Sequence, residues 1–207
     1  MPNPPPTADH RTPSGSISPA YFEQAFAEDP DPWRFATSPY EAAKYAATLG
    51  ALPRPRYRRA FEVGCAIGVL TRQLAERCGR LLAVDVAPAA LAQARARLAD
   101  LPHVEVRRMA VPGEWPEGPL SEPFDLIVVS EVGYYLGAED LDRLRQRCAG
   151  SAAPGGHLVL VHWTGETDYP LTGDAVHEAF LADDAWRSVH ADRAPEYRLD
   201  VLERVQG

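Results

Sequence analysis

The sequence is poor in the residues that build disulfide scaffolds and metal sites. Of its 207 residues only three are cysteines, and Cys65, Cys78 and Cys148 are scattered along the chain. It contains no CxxC pair and no HExxH motif. So few cysteines exclude a disulfide-rich scaffold and favour a reducing compartment. Without either motif, the sequence offers no recognisable set of ligands for a structural metal. We therefore expect no metal.

Long apolar runs and an excess of basic residues are also missing. No stretch approaches the length of a membrane span, and the first residues lack the pattern of a signal peptide. Lys+Arg is 21 against 29 for Asp+Glu, which gives a formal net charge of -8, and Lys44 is the only lysine. An acidic surface argues against binding to nucleic acid or to an anionic membrane. The sequence predicts a cytoplasmic protein.

Prolines are concentrated at the start of the chain. Residues 1–19 hold six of them with almost no apolar periodicity, which predicts a disordered tail, with a proline-rich ligand as the alternative. Residues 20–207 are long enough for one domain. Its first part, residues 20–53, predicts two helices: "DPDP" ends the first, and Ser38 and Pro39 begin the second.

From residue 59 onward, strands and helices alternate. The strand-like stretches are short and apolar, whereas the intervening stretches carry apolar residues at helical spacing. An almost wholly apolar strand is expected where helices cover both faces of a sheet. This alternation predicts a doubly wound α/β fold with a mostly parallel, seven-stranded sheet that ends in a hairpin. The first five predicted strands are "AFEVGC", "RLLAVDVA", "HVEVRRMA", "PFDLIVVSEV" and "GGHLVLVHW".

A glycine loop follows the first strand, in "FEVGCAIG", at the sheet edge where open parallel sheets bind ligands. It carries Glu62, Gly64 and Gly68, and it lacks the GxGxxG spacing of many dinucleotide enzymes. A carboxylate just before the loop repels a pyrophosphate. Asp85, at the end of the second strand, can accept hydrogen bonds from ribose hydroxyls but repels a 2′-phosphate. The loop therefore predicts an unphosphorylated nucleoside joined to a cation, and S-adenosylmethionine fits that description.

The same motifs resemble those of class I S-adenosylmethionine-dependent methyltransferases, whose first motif is similar to "FEVGCAIG" and whose second is similar to "AVDVA". A closer resemblance, to the nodulation protein S family, is carried by "DPDPWRFATSPYEAAKY", "FDLIVVSEVGYYL" and "HWTGETDYPLTGDAVHE". It implies a Rossmann-like methyltransferase that acts on a small molecule. The family's named member N-methylates the deacetylated terminal glucosamine of a chitooligosaccharide. We therefore expect N-methylation of an amino sugar or another amine-bearing metabolite.

The resemblance further implies that residues 20–53 fold over the cofactor as a lid; a helix that only covers the sheet edge is the alternative. Ala66 stands where the family often has a glycine, and it is tolerated if its φ stays negative. Ala110 stands where relatives commonly have an aspartate that binds the adenine amino group. Without that aspartate, we expect Met109, Val111 and Trp115 to bind adenine. The expected cofactor-binding residues are Trp33, Tyr40, Glu62, Gly64, Cys65, Gly68, Asp85, Val86, Met109, Ala110, Val111 and Ser130.

Two residues at strand ends are candidates for catalysis. Glu131 follows the fourth strand and could bind the acceptor ammonium, act as a base or cap the next segment. His162 ends the fifth strand and could take the proton of the acceptor or be a hydrogen-bonded structural residue. Candidates for substrate binding follow these strands, although a core position or a solvated loop is the alternative for each. They are Tyr134, Tyr135, Asp168, Tyr169, Asp174 and His177.

Three other functions remain open on the sequence alone. Methyl transfer to oxygen or sulfur would use the same donor pocket. A non-catalytic protein that binds S-adenosylmethionine is compatible with Ala66 and Ala110. An oxidoreductase that uses a nicotinamide cofactor is disfavoured by the absence of GxGxxG.

Overall fold

The computed structural model describes residues 10–120 and 122–205. In these ranges seven strands form one sheet in the order β3-β2-β1-β4-β5-β7-β6. Strands β1 to β5 are parallel to one another, and β7 is antiparallel to both β5 and β6. The predicted α/β fold and its terminal hairpin are therefore present. The strands are β1 (Tyr57–Val63), β2 (Cys78–Asp85), β3 (Val104–Arg108), β4 (Phe124–Ser130), β5 (Ala152–Trp163), β6 (Trp186–Arg193) and β7 (Tyr197–Arg204).

Six α-helices surround the sheet in the described ranges. The second begins as predicted, with Pro39 in its first turn and the Ser38 hydroxyl accepting a hydrogen bond from the Glu41 N–H. The helices are α1 (Pro19–Glu28), α2 (Pro39–Gly50), α3 (Val69–Ala75), α4 (Pro88–Arg97), α5 (Ala138–Ser151) and α6 (Gly173–Leu181). None of these helices has the length and apolar character needed to cross a membrane. The cytoplasmic location stays a prediction.

The sheet separates two hydrophobic cores because successive side chains of a strand point to opposite faces. On one face Phe61 and Ile127 pack with Leu144 of α5 and Phe180 of α6. The other face is covered by α2 and α3, among others through Leu74. Burial on both faces accounts for the apolar sequences of β1, β4 and β5. Strand order reverses between β1 and β4, so a crevice opens at their carboxyl ends.

The prediction of a disordered tail over residues 1–19 is wrong for residues 10–18, and residues 1–9 lie outside the described residues. Arg11 and Ile17 form an antiparallel bridge, which closes a turn between them. Ser16 and Ile17 are buried, and the Ile17 N–H donates to the Tyr135 carbonyl at 2.7 Å. A single isoleucine produces no periodicity in the sequence, so this packing could not be read from the pattern.

The turn of residues 10–18 fits tightly against the start of α5. A Cβ added at Gly137 would lie 2.0 Å from the Ser14 carbonyl oxygen, whereas one added at Gly150, near the end of the same helix, meets nothing within 4 Å. We expect Gly137→Ala to lower the free energy of unfolding by about 1–3 kcal/mol because the turn must move. Gly150→Ala should leave it unchanged or raise it by up to about 1 kcal/mol.

Denaturant unfolding of both variants measures the difference. Equal stabilities for the two alanine variants would contradict the close packing of this turn.

Candidate active site

A cavity of about 660 Å³ lies at the carboxyl ends of the central strands, beneath α1 and α2. This volume is in the range of small-molecule sites. Most of the predicted site residues line it, and they come from the ends of β1 to β4, the segment after β5 and residues 20–53. They are Trp33, Tyr40, Glu62, Gly64, Cys65, Asp85, Val86, Met109, Ala110, Val111, Ser130, Glu131, Tyr134, Tyr135 and Tyr169.

The glycine loop after β1 turns through positive φ angles. Gly64 has φ +76°, and a Cβ there would lie 2.3 Å from Val132 Cγ2, so only glycine fits. Ala66 has φ +47°. The expectation that its φ stays negative is therefore wrong, and the alanine adopts a left-handed conformation that glycine occupies more easily. The Ala66 N–H donates to Asp85 Oδ2 at 2.9 Å, which helps to hold this conformation.

Asp85, at the end of β2, faces the loop with both of its oxygens. Oδ2 accepts from the Ala66 N–H at 2.9 Å, and Oδ1 accepts from the Ala87 N–H at 3.0 Å. Burial raises the pKa of the Asp85 carboxyl, although these N–H groups act in the opposite direction. A carboxylate has about four acceptor positions. Two therefore remain for the hydroxyls of a ribose.

Glu62 is buried in the cavity wall with 2% of its surface exposed. Among the described residues its Oε2 has no hydrogen-bond partner. Burial raises the pKa of the Glu62 carboxyl to about 7, and the nearby negative charge of Asp85 adds to the rise. Leaving a buried carboxylate oxygen unpaired is costly unless a donor reaches it. The position suits the positively charged end of a ligand.

On the far side of the loop, Met109, Ala110 and Val111 line the cavity as expected for an adenine pocket. The Ala110 N–H donates to Glu114 Oε2 at 2.6 Å. Trp115 does not line the cavity. It packs on the Phe61 ring and donates from Nε1 to a serine hydroxyl of α5, so its predicted contact with adenine is wrong.

Glu131 connects the sheet to helix α2. It has φ +57°, and its Oε1 lies 2.7 Å from the ammonium of Lys44, which itself contacts Glu41 at 3.0 Å. Oε2 accepts from the Tyr134 hydroxyl and from the Trp163 N–H. Burial opposes the charge of Lys44, yet Glu131 and Glu41 raise the pKa of its ammonium above the usual value. Glu131 is thus held by three donors and does not serve as a cap.

Aromatic rings form the wall beyond Glu131. The Tyr135 ring lies 4.9 Å from Phe22 and 4.7 Å from Tyr169, between ring centroids, and Tyr134 stacks on Tyr169 at 5.1 Å. All four rings line the cavity. The electron-rich faces of such rings attract cations. This wall therefore suits a positively charged or amphipathic acceptor.

His162 does not reach the cavity, and its predicted role as the base is wrong. Its side chain is fully buried, and its Nε2 accepts from the Gly133 N–H at 3.0 Å. The other nitrogen must then carry the proton, and it donates to His177 Nε2 at 3.0 Å. His177 in turn donates to Asp200 Oδ2 at 2.6 Å. In this buried series of hydrogen bonds both ring nitrogens of His162 are occupied, so His162 cannot accept a proton from a substrate. His177 is a core residue for the same reason.

Three further predicted residues lie outside the cavity lining. Gly68 has φ +79°, and a Cβ there would lie 3.2 Å from Ala94, so its role is the close approach of α3 to α4. Asp174 binds two arginines on the surface, including Arg193 at 2.6 Å, rather than a substrate. Asp168 is exposed, and its backbone carbonyl accepts a hydrogen bond from an arginine of the N-terminal turn.

Several residues that line the cavity were not among the predicted site residues. Lys44 was expected only as part of the segment that folds over the cofactor, and Glu41, three residues before it on one face of α2, was not expected. The only lysine of the chain was the sequence feature that could have pointed to both. No such feature pointed to Asp140, since its place depends on the turn of residues 10–18, whose Ser16 hydroxyl it binds at 2.5 Å. The other lining residues of this kind include Ile17, Phe22, Phe26, Phe35 and Tyr45.

Comparisons with known proteins identify close relatives. A family model described as nodulation protein S (NodS) matches residues 21–150. Nodulation protein S of Rhizobium tropici is 39% identical over 134 residues, which cover 63% of this chain and 54% of that protein. Nodulation protein S of Bradyrhizobium diazoefficiens is 40% identical over 121 residues, which cover 56% of this chain and 53% of that protein. The chain thus spans about half the length of the curated relatives it matches.

Solved structures share the whole fold. The N-methyltransferase NodS from Bradyrhizobium japonicum WM9, in complex with S-adenosyl-L-homocysteine, has a TM-score of 0.75 and 27% identity, and covers 90% of this chain and 98% of its own. A DhpI–SAH complex has a TM-score of 0.74 at 18% identity, covers 97% of this chain and 100% of its own, and is similar in fold. The predicted class I methyltransferase fold is confirmed.

The buried state of His162 makes stability depend on pH. Burial, together with His177 and Lys44, lowers the pKa of His162 well below its usual 6.5, so the folded chain stays unprotonated there while the unfolded chain takes up a proton. We expect this histidine to lower the free energy of unfolding by about 1.4 kcal/mol per pH unit as the pH falls below 6.5.

Unfolding measured from pH 7 to pH 5 tests this contribution. His162→Gln should be less stable at pH 7 but show a shallower loss toward pH 5. A variant with the wild-type slope would contradict the assignment.

Proposed function

Because this chain belongs to the nodulation protein S family, we propose that it transfers the methyl group of S-adenosylmethionine to the amino group of a small polar molecule, such as an amino sugar. The predictions of the family and of its cofactor are confirmed by the family match and by the relative bound to S-adenosyl-L-homocysteine. The proposed class of methyl acceptor is inferred from the charges and side chains that line the cavity.

The residues around the cavity fit the cofactor. Asp85 has acceptor positions left for ribose hydroxyls, and the apolar side chains of Met109 and Val111 suit the faces of adenine. Glu62 offers an unpartnered carboxylate oxygen to a positively charged group. When bound, S-adenosylmethionine supplies an electrophilic methyl group, which forms a bond to nitrogen while the C–S bond breaks and its electron pair stays on sulfur.

The charge balance of the cavity is the observation that carries the acceptor class. Six carboxylates are among the described residues that line it, and the one cationic side chain, Lys44, is already paired with two of them. Such a cavity attracts a cationic donor and an amine and repels anions. The carboxylates are Glu41, Glu62, Asp85, Glu131, Asp140 and Glu166.

Glu131 and the aromatic wall have complementary roles in this proposal. An amine attacks only when it is neutral, so its nitrogen must lose a proton before or during transfer. Glu131 is fixed by three donors and has one acceptor position left, which suits it to orient an amine N–H. Phe22, Tyr135 and Trp33 cover the site and exclude water, which would otherwise compete or misorient the acceptor.

Binding of S-adenosylhomocysteine tests the cofactor site. Calorimetry should show binding to the wild type and an affinity reduced at least about tenfold in Asp85→Ala, because two ribose contacts are lost. Asp125→Ala is a matched control, since Asp125 also accepts from two backbone N–H groups, those of Arg58 and Arg59, outside the cavity lining. It should lose stability and keep its affinity. Equal affinities in both variants would show that the ribose contact is misassigned.

Product analysis tests the acceptor. With a panel of amino sugars, aliphatic amines, phenols and thiols, we expect N-methylated products. Glu131→Gln should lower kcat by about tenfold or more. The amide oxygen of glutamine cannot accept hydrogen bonds from the three protein donors and also from an amine N–H of the substrate. Glu122→Gln, at a carboxylate that pairs with Arg59 outside the cavity lining, is the control.

Methylation of phenols or thiols alone would replace the proposal by the O- or S-methyltransferase alternative. Wild-type turnover in Glu131→Gln would remove the role of that carboxylate.

A further inference from the structure

Three polar side chains form a buried series of hydrogen bonds outside the cavity lining. His162 lies near the end of β5, His177 in α6 and Asp200 in β7, and each has 1% or less of its surface exposed. His162 Nδ1 lies 3.0 Å from His177 Nε2, and His177 Nδ1 lies 2.6 Å from Asp200 Oδ2. These three residues, the histidine series, join two strands and a helix of the fold.

The carboxylate of Asp200 determines the direction of every hydrogen bond in the histidine series. Its Oδ2 also accepts from Arg198 Nε at 2.8 Å. Burial opposes the charge of Asp200, yet His177 and Arg198 hold the pKa of its carboxyl below the usual value, so this group only accepts. His177 must therefore carry its proton on Nδ1 and accept through Nε2, and His162 must do the same.

This direction leaves His162 Nε2 as an acceptor, and it receives the Gly133 N–H at 3.0 Å. Burial, together with His177 and Lys44, lowers the pKa of His162 well below its usual value, so the ring stays neutral and keeps this acceptor. Gly133 is buried and begins a short 3-10 turn that ends at Tyr135. The first N–H of such a turn has no partner within it, so His162 satisfies a group that would otherwise be buried unpaired.

The turn that begins at Gly133 carries groups of the cavity. Tyr134 and Tyr135 both line it, and the Tyr134 hydroxyl donates to Glu131 Oε2. Gly133 also packs closely on α6, since a Cβ there would lie 2.5 Å from a valine side chain of that helix. Glu131 has φ +57°, so neither strand nor helix geometry fixes the chain between β4 and the turn. The hydrogen bond to His162 supplies that constraint.

We propose that the histidine series positions Glu131 for methyl transfer: it holds the Gly133 N–H, and the turn that begins there brings the Tyr134 hydroxyl to Glu131. This inference rests on the proposed function, in which Glu131 orients the acceptor amine. A buried polar network whose members all have partners specifies one arrangement of the chain. The precision matters because a misplacement of about 1 Å at a reacting group can cost about a hundredfold in rate.

Leucine and glutamine at position 162 separate positioning from packing. Glutamine offers an amide oxygen to the Gly133 N–H and an N–H to His177, whereas leucine offers neither. With the amine that the wild type methylates best, His162→Leu should lower kcat by about tenfold or more, and His162→Gln should stay within about threefold of the wild type. In both variants calorimetry should give an affinity for S-adenosylhomocysteine within about threefold of the wild type, because Glu62 and Asp85 lie on other strands.

His177→Leu tests whether direction is transmitted along the histidine series. It leaves the His162 ring in place but removes the acceptor of its Nδ1–H, so the proton can move to Nε2 and face the Gly133 N–H. We expect kcat to fall by about tenfold or more. Nitrogen chemical shifts of the labelled imidazole should show the Nδ1-protonated tautomer in the wild type and a mixture in the variant. The Gly133 amide should exchange with solvent about tenfold faster or more.

His157→Leu is the matched control. His157 is also a buried histidine of β5, and its Nδ1 lies 3.0 Å from the Tyr57 hydroxyl, but it pairs with Leu126 near the start of β4 and does not line the cavity. The variant should lose stability and keep its kcat. Because His162→Gln preserves the hydrogen bonds, the test stands even if one leucine variant fails to fold.

The outcomes separate the positioning role from the proposed function. Wild-type kcat in His162→Leu or His177→Leu overturns the positioning role, and so does an equal loss in His162→Gln or in His157→Leu, which would assign the effect to the packing of β5. If the wild type methylates no amine, the proposed function fails, whereas the tautomer of His162 and the exchange of the Gly133 amide still decide whether the histidine series holds the turn.

Discussion

One buried ammonium joins the N-terminal helices to the sheet beside the cavity. Lys44 comes from the second helix, Glu131 from the end of the fourth strand, and their contact at 2.7 Å ties the N-terminal helices to the sheet. A charge with 2% of its surface exposed is stable only when carboxylates surround it. The position of α2 and the direction of the Glu131 side chain both satisfy this requirement.

Much of the architecture could be predicted because its signals are local. Alternating apolar strands and helices specify a parallel sheet, and Glu62 and Asp85 fall at strand ends whatever the tertiary details. Their charge alone argued for a cationic nucleoside rather than a dinucleotide. Family motifs then narrowed the ligand to S-adenosylmethionine, and the relatives agree with that choice.

The failures arose where partners far apart in the chain decide a role. His162 ends a strand next to the cavity, yet both of its ring nitrogens form hydrogen bonds, one with a glycine N–H and one with a second histidine. Gly68 belongs to the ligand motif by spacing, but Ala94 of a neighbouring helix explains its missing side chain. Ala66 adopts a positive φ because Asp85 holds its N–H, which the composition of the loop alone did not reveal.

The turn of residues 10–18 has a consequence for how the shape of the cavity can vary. Ile17 in this turn and Tyr169 both line the cavity, and both lie on short segments outside the helices and strands. Glu62 and Asp85, in contrast, lie at the ends of strands that the sheet fixes in place. Changes in these two short connections can therefore reshape the cavity without moving the strand ends that carry Glu62 and Asp85.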